Sequence, residues 1–549
     1  MLDVFSEELS DTYYSFIDKI AKNRFECDKL LGKFYTDYGV TDNMCARIVD
    51  HLSVNRVHQK LTIIDPFCGD GRLIVELLTG MLAANLLIDV SVSVTIWDID
   101  SEAVQQAEVN IKKYCDDNRL NCTVISKVTD AFIEYKNNCN AYNICVTNPP
   151  WVLLKPQKII NKDLDKTSLE KYKTIISAYD TYVKDEFITS QPTSKFGKWG
   201  TNLARCGVEV ALRMLCNDGI CGVVSPASLL NDQVSGKLRE WMFESYNVVS
   251  IDYYPAEMKL YGVADVASVA IVLSSEQKTD GINFRKYSNG FEYNQKKIEC
   301  HHMDYIKENQ YNVPLKTGIE SIQIMTELEK LPSTLECCTE SGFSFTREMD
   351  ETRVMEKLLP HGDIVFAKGY MVDRYSFSDA GLFLNEKKYE APSSTQEYKI
   401  VWRDVSRDSQ KRRIKATLLP PGYICGNSLG IIYGKKDRLP ELKMLLAIIN
   451  SAVFEYQARC FLVSNHVSSG IIKRIHMPRA VVDEYIIGLV DRQLSGENLE
   501  AKIESAIAHM YGISLGMYTT ILDSFRFSDG EKEELLSEYI NKRNGVFDK

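Results

Sequence analysis

Residues 61–71 run Leu-Thr-Ile-Ile-Asp-Pro-Phe-Cys-Gly-Asp-Gly, a strand passing into a glycine turn. The apolar run Leu61–Asp65 has the length and β-branching of a buried strand. It breaks at Pro66, passes two glycines, Gly69 and Gly71, and enters the helical stretch LIVELLTGML (73–82). A strand that feeds a helix through a glycine turn exposes backbone N–H groups where a ligand can come close. Taken alone, such a turn is equally a plain tight connection.

The same rhythm continues along the flanking chain. VSVTIWDID (92–100), NCTVISKV (121–128), AYNICVTN (141–148), GICGVVSP (219–226), VVSIDYY (248–254) and VASVAIVLSS (266–275) read as strands, with the amphipathic helix SEAVQQAEVNIKKY (101–114) among them. Strands alternating with helices at this spacing predict a mainly parallel sheet covered on both faces, a Rossmann-like α/β domain. The second strand ends in Asp98 and Asp100. An acid at that place can accept both ribose hydroxyls of an adenosine. Asp100 directly precedes Ser-Glu-Ala-Val and suits a helix N-cap, so the ribose falls to Asp98. The third strand ends at Asp130, where an acid can accept from an adenine amino group.

The fourth strand ends at Asn148-Pro149-Pro150-Trp151. Two prolines fix the backbone, and the residue before a proline is driven to extended geometry. The Asn148 side-chain oxygen and the Pro149 carbonyl can then hold both hydrogens of an exocyclic NH2, with Trp151 as a stacking face. An aromatic amino nitrogen is a poor nucleophile because its lone pair is delocalised. Two acceptors on its hydrogens favour pyramidalisation and aim the lone pair at an electrophilic methyl group, so orientation and electrostatics supply the catalysis.

This arrangement resembles the gamma class of adenine-N6 DNA methyltransferases of restriction–modification systems. Lys33-Phe34-Tyr35-Thr36-Asp37 followed by TDNMCARIVDHL (41–52) is similar to that family's segment for the methionine part of the cofactor. The resemblance implies S-adenosyl-L-methionine as cofactor, held by Tyr35, Thr36, Asp65, Phe67, Gly69, Gly71, Asp98, Ile99, Asp130, Ala131 and Asn148, with Thr36 on the methionine carboxylate. It implies a catalytic set of Asn148, Pro149, Pro150 and Trp151 around a flipped base. LYGVADVASVAIVL (260–273) is similar to the later segment whose aromatic residue packs on the base's other face, which points to Tyr261. Three positions depart from the family: Asp37 stands where a proline is usual, Asn143 where an acid is usual, and Arg72 where an aromatic residue often follows the turn.

The remainder is read more coarsely. Residues 155–200, with Pro156, Pro192, Gly197 and Gly200, form an expected helical insertion near the active site. The expected domains are 1–310 for cofactor and catalysis, 311–485 for a mixed α/β DNA-recognition domain, and 486–549 for a helical tail. ELKMLLAIINSAVFEYQARCF (441–461) reads as one long helix. The window 396–415 holds seven Lys or Arg against three acids, with Trp402 interleaved. Arg403, Arg407, Lys411, Arg412 and Arg413 are its expected DNA contacts, beside Lys399 and Lys415; a solvated charged face is the bland alternative. Lys473 and Arg474, in SNHVSSGIIKRIHMP (464–478), are a second DNA candidate.

Net charge is −10, which alone argues mildly against nucleic acid, but clustering of cations counts for more than the total. No apolar run approaches membrane-spanning length and no export signal is evident, so a cytoplasmic protein without a membrane partner is expected. His466 and His476 lack metal-ligand spacing, and no metal is expected. The partners expected are double-stranded DNA and a separately encoded restriction endonuclease. RNA or protein-glutamine methylation, cytosine N4, and a bifunctional enzyme that also cuts DNA remain open alternatives.

Overall fold

The glycine turn lies where the strand order of a large sheet reverses. The computed structural model describes residues 2–21, 23–54, 59–156, 165–192, 201–261, 266–276, 281–354, 358–362, 364–384, 391–407, 409–462 and 465–543. Gly197 and Gly200, most of the flanks of the expected insertion, residues 262–265 of the Tyr261 segment, and Ser464 lie outside these. The chain divides into two units, Met1–Leu315 and Lys316–Lys549.

In the first unit, three helices, α1 (Leu2–Ile20), α2 (Arg24–Leu31) and α3 (Tyr38–Val54), precede the first strand. Then follow β1 (Lys60–Asp65), α4 (Arg72–Ala83), β2 (Ser91–Asp98), α5 (Ser101–Asp117), β3 (Cys122–Val128), α6 (Ala131–Glu134) and β4 (Tyr142–Thr147). After these come α7 (Lys166–Glu186), α8 (Leu203–Arg213), β5 (Leu215–Pro226), α9 (Gly236–Ser245), β6 (Asn247–Tyr254), β7 (Ser268–Ser274), β8 (Ile282–Tyr287), β9 (Tyr293–Ile298) and α10 (Cys300–Glu308). The sheet order is β3-β2-β1-β4-β5-β7-β6-β8-β9. Strands β1 to β5 pair in parallel, and β7 runs antiparallel between β5 and β6. This is a Rossmann-like α/β sheet, and every strand expected from the sequence is in it. The pair β8–β9 extends one edge and was not anticipated.

The core explains the helix placement. Val40, Met44 and Ile48 of α3, Leu77, Leu78 and Met81 of α4, and Ala107 and Ile111 of α5 bury their apolar stripes against Ile63, Val94, Ile144 and Ile220 of the sheet. Asp37, in place of proline, accepts the Gly39 N–H at 2.8 Å and so starts α3 by capping it. Asn143, in place of an acid, accepts from the Thr62 backbone N–H and hydroxyl, both at 2.9 Å, and ties β4 to β1.

In the second unit, short strands form two four-stranded sheets and a two-stranded one. Residues 441–461 are not one helix. Helices Leu439–Asn450 and Ala452–Phe461 meet at Ser451, whose extended backbone breaks the ladder and whose hydroxyl accepts the Phe454 N–H at 3.2 Å. The C-terminal helices Glu484–Leu494 and Glu500–Met510 pack on Leu439–Asn450, so the expected tail is built into this unit. Among the described residues, no helix is long and apolar enough to cross a membrane.

Candidate active site

In an open parallel sheet, ligands bind outside the carboxyl ends of the strands where the order reverses. That point lies between β1 and β4. A pocket of about 830 Å3, counted out to its open mouth, sits there. Its lining includes Tyr35, Thr36, Phe67, Gly69, Asp98, Ile99, Asp130, Ala131, Asn148 and Pro150. Ten expected residues thus share one cavity. Asp65, Gly71, Pro149, Trp151 and Tyr261 stand behind or beside it. Among the described residues, no group of three His, Cys, Asp or Glu side chains could hold a metal.

The turn is shaped by glycine. Gly69 and Gly71 have φ of 51° and 80°, in the left-handed region that favours glycine. The Gly69 N–H donates to Asp98 Oδ2 at 3.1 Å, and the Asp100 N–H to Asp98 Oδ1 at 3.0 Å. Burial raises the Asp98 carboxyl above its usual range, against the pull of Lys33, whose ammonium lies 3.8 Å away. Asp100 caps α5 through the Glu102 and Ala103 N–H groups and pairs with Lys33 at 2.9 Å. The division of labour read from the sequence between these two acids therefore has its capping half in the structure.

Asp65 is fully buried. Its Oδ1 accepts from Phe67 N–H at 3.1 Å and Thr147 Oγ1–H at 2.9 Å, while Oδ2 has no partner. Burial pushes this carboxyl up to about 7. Asp130 is heavily engaged: Oδ2 accepts from Ser10 at 2.7 Å and from Tyr179 at 2.6 Å, and Oδ1 from the Phe132 N–H at 2.9 Å. Tyr14, on the pocket wall, lies 3.2 Å from the Tyr179 hydroxyl. Helices α1 and α7 thus build this end of the site. Helix α7 lies in the helical insertion expected near the active site, but its contact with Asp130, like that of α1, was not legible, because these partners lie 49 and 120 residues from Asp130.

At the fourth strand end, Asn148 Nδ2 donates to the Phe34 carbonyl at 2.7 Å and to Thr36 Oγ1 at 3.0 Å. Asn148 Oδ1 is buried and has no partner. The Trp151 backbone N–H donates to the Gly32 carbonyl at 2.9 Å. Gly207 of α8 lies so close to the turn that an added Cβ would stand 2.2 Å from Pro149 Cβ. The Trp151 and Tyr261 rings meet edge to face with centroids 4.6 Å apart. A base sandwiched between two rings needs roughly 7 Å, twice the stacking contact distance. Tyr261 therefore closes on Trp151 here instead of leaving a slot. Arg72, the third departure, forks onto Asp70, donates to the Thr36 carbonyl at 2.7 Å, and lies over the Tyr35 and Tyr38 rings.

Much of the basic window is buried or paired within the fold. Lys399 is buried on Glu348. Arg412 is buried between Glu455 at 3.0 Å and Glu504 at 2.7 Å. Arg413 is fully buried and donates to the Ser406 carbonyl at 3.0 Å. Trp402 is a core residue whose N–H meets the Val467 carbonyl at 2.8 Å. As folded, neither Arg412 nor Arg413 can reach a phosphate, and those two DNA contacts are corrected accordingly. Arg403 binds the Val372 and Tyr370 carbonyls, Lys415 pairs with Asp373 at 2.8 Å, and Lys411 pairs with Glu531 at the surface. Arg407 is exposed. Lys473 and Arg474 lie over the Phe345 and Phe461 rings, at 4.8 and 4.5 Å.

No curated protein sequence matches this chain. Among solved structures, a DrdV–DNA complex is similar with a TM-score of 0.51 at 11% identity, over 92% of this chain and 60% of that one. The type IIG restriction endonuclease BpuSI gives 0.43 at 13%, over 93% and 66%. The type IIL restriction-modification enzyme MmeI, in complex with DNA, gives 0.42 at 13%, over 96% and 77%. The chain thus spans about two thirds or less of the DrdV and BpuSI chains. Residues 78–261, which carry Asp98, Asp130, the Asn148–Trp151 turn and Tyr261, match the model of the Eco57I restriction-modification methylase family.

Proposed function

We propose that this chain is an S-adenosylmethionine-dependent methyltransferase acting on the N6 amino group of an adenine flipped out of duplex DNA. In this reading it is the modification enzyme of a restriction–modification system, with cutting left to a separately encoded endonuclease. The observation that carries the reading is Asn148: a rigid turn at the pocket edge holds a buried carbonyl oxygen that lacks a hydrogen-bond donor. Buried acceptors are rarely left unpaired, and an amino group is the partner this one suits. The match over residues 78–261 supports methyl transfer within a restriction–modification setting.

The residues present fit the cofactor. The Gly69–Gly71 turn lets backbone approach closely, and Asp98, largely buried but on the pocket wall, offers a carboxylate for ribose hydroxyls. When bound, the cofactor supplies an electrophilic methyl group on a sulfonium. Asn148 Oδ1 and the Pro149 carbonyl accept the two amino hydrogens and turn the nitrogen lone pair outward. Trp151 offers its ring for stacking once Tyr261 moves off it. The surplus proton stays with these acceptors until it leaves to water, so no strong base is required at the nitrogen. Arg407, Lys473 and Arg474 remain the candidate DNA contacts, with Arg403 and Lys411 available only if their present partners release them.

The test is transfer from methyl-labelled cofactor to duplex DNA, RNA or a protein extract, followed by digestion and mass spectrometry. N6-methyldeoxyadenosine from DNA is expected. Label confined to N4-methylcytosine, to RNA or to glutamine would replace this reading with one of its rivals.

A further inference from the structure

An amide side chain can bind in two orientations that differ by a half turn, and they offer a substrate opposite atoms: a carbonyl oxygen or an NH2. For a target that is itself an amino group, only the first is useful. What sets the choice at Asn148 lies far away in sequence. The Phe34 carbonyl stands 2.7 Å from Nδ2 and Thr36 Oγ1 stands 3.0 Å from it. A carbonyl oxygen only accepts. With the amide reversed, Oδ1 would face the Phe34 oxygen with no hydrogen between them, an unmade bond in a buried place. The Thr36 hydroxyl can serve either orientation. Phe34 therefore fixes the sense of the amide, and Thr36 holds its second hydrogen.

This segment is itself held from behind. Arg72 Nη1 donates to the Thr36 carbonyl at 2.7 Å. Its Nε and Nη2 bind Asp70 of the glycine turn at 3.0 and 2.7 Å. A continuous path thus runs from the glycine turn through Arg72 and Thr36 to the amide of Asn148.

We infer that the Phe34–Thr36 segment is an orienting clamp for Asn148, and that Thr36 is a positioning residue for the transfer step. This rests on the methyltransferase reading for its effect on rate, but not for the geometry of the amide. Thr36→Val keeps the shape and removes the acceptor; Thr36→Ser keeps the acceptor.

At saturating cofactor and DNA, single-turnover methylation by Thr36→Val is expected to slow about tenfold, the worth of one hydrogen bond of roughly 1.4 kcal/mol. Cofactor and DNA affinities should stay within about twofold, and Thr36→Ser should transfer at close to the wild-type rate. A Thr36→Val protein that loses cofactor affinity while keeping its rate at saturation would overturn the clamp in favour of the carboxylate role. A second readout needs no turnover. In protein labelled with 15N at asparagine, the Asn148 side-chain NH2 pair is assigned by its absence from Asn148→Asp. Both hydrogens should exchange slowly in the wild type, and one should become fast in Thr36→Val. Fast exchange of both in the wild type overturns the clamp, whatever the protein methylates. Slow exchange of both in a wild type that methylates no adenine supports the clamp and removes the proposed function instead.

Discussion

A carboxylate at position 148 would face the Phe34 carbonyl oxygen across the 2.7 Å now bridged by an amide hydrogen. Asn148→Asp should therefore transfer at least as slowly as Asn148→Ala at pH 8, and recover in part as pH falls and the acid gains a proton to donate. Asn148→Ala, losing one acceptor on the reacting amino group, should fall by about 10²–10³ in single-turnover rate with cofactor affinity unchanged. An Asn148→Ala enzyme with the wild-type rate would end the mechanism. Asp98→Ala should weaken cofactor binding by about 1.5–3 kcal/mol in titration calorimetry, since a charged acceptor is lost. At this scale the strand-end residues were legible, because each ends a β run and carries a recognisable group. Lys33, Tyr14 and the Arg72 fork were not, because their importance is a matter of which distant side chain they meet.

Helix α8 reaches the active site through a missing side chain. Gly207 allows it to lie against Pro149, where a Cβ would come within 2.2 Å. Gly207→Ala should cost about 1–3 kcal/mol of stability by overpacking, visible in chemical denaturation. It should also slow methylation of DNA by displacing the turn. In the second unit the window 396–415 shows why elements mislead when read singly. The charge run was plain, but Glu455 and Glu504, its partners, lie 43 and 92 residues from Arg412. Arg412→Ala should therefore act on folding and not on DNA. Glu455 keeps Arg459 and Glu504 keeps Arg374, so the loss of the charged hydrogen bonds to Arg412 should cost about 1.5–3 kcal/mol. A variant of unchanged Tm with a shallower salt dependence of DNA binding would restore the phosphate contact. The helix break at Ser451 was missed for a related reason: apolar periodicity runs on through it, and only the cap marks the stop.

Across the whole molecule, two buried acids tilt the pH dependence of stability in opposite senses. Burial holds Asp65 up at about 7, so the native state keeps a proton that the unfolded chain gives up near 4. That group's contribution is full below about pH 4 and is lost as pH rises to about 7. Glu455 is the reverse: burial alone would raise it, but Arg412 and Arg459 pull it down to about 2. Its contribution is full above the unfolded value near 4 and is lost as pH falls through 2. The difference in unfolding free energy between wild type and Asp65→Asn should thus move against the wild type between pH 4 and pH 7, by up to ~4 kcal/mol. A difference flat across that range would show Asp65 ionised throughout. The α/β sheet as a whole was readable from the order of strand ends, since alternation constrains it strongly. The sheets of the second unit were readable only as part of a mixed α/β domain, because nothing local specifies which short strands pair.

The three donors on Asp130 come from residues 10, 179 and 132, so they are far from contiguous in the order of synthesis. A nascent chain that has emerged as far as the glycine turn and β2 holds most of the pocket's walls but not its far end. Helix α1 must wait for α7 before its serine and tyrosines have a settled place. A ribosome-bound chain halted before residue 179 should accordingly present an open, loosely held site, and one halted beyond α7 a finished end. Birth order therefore leaves helix α1 to be fixed only by a segment translated much later.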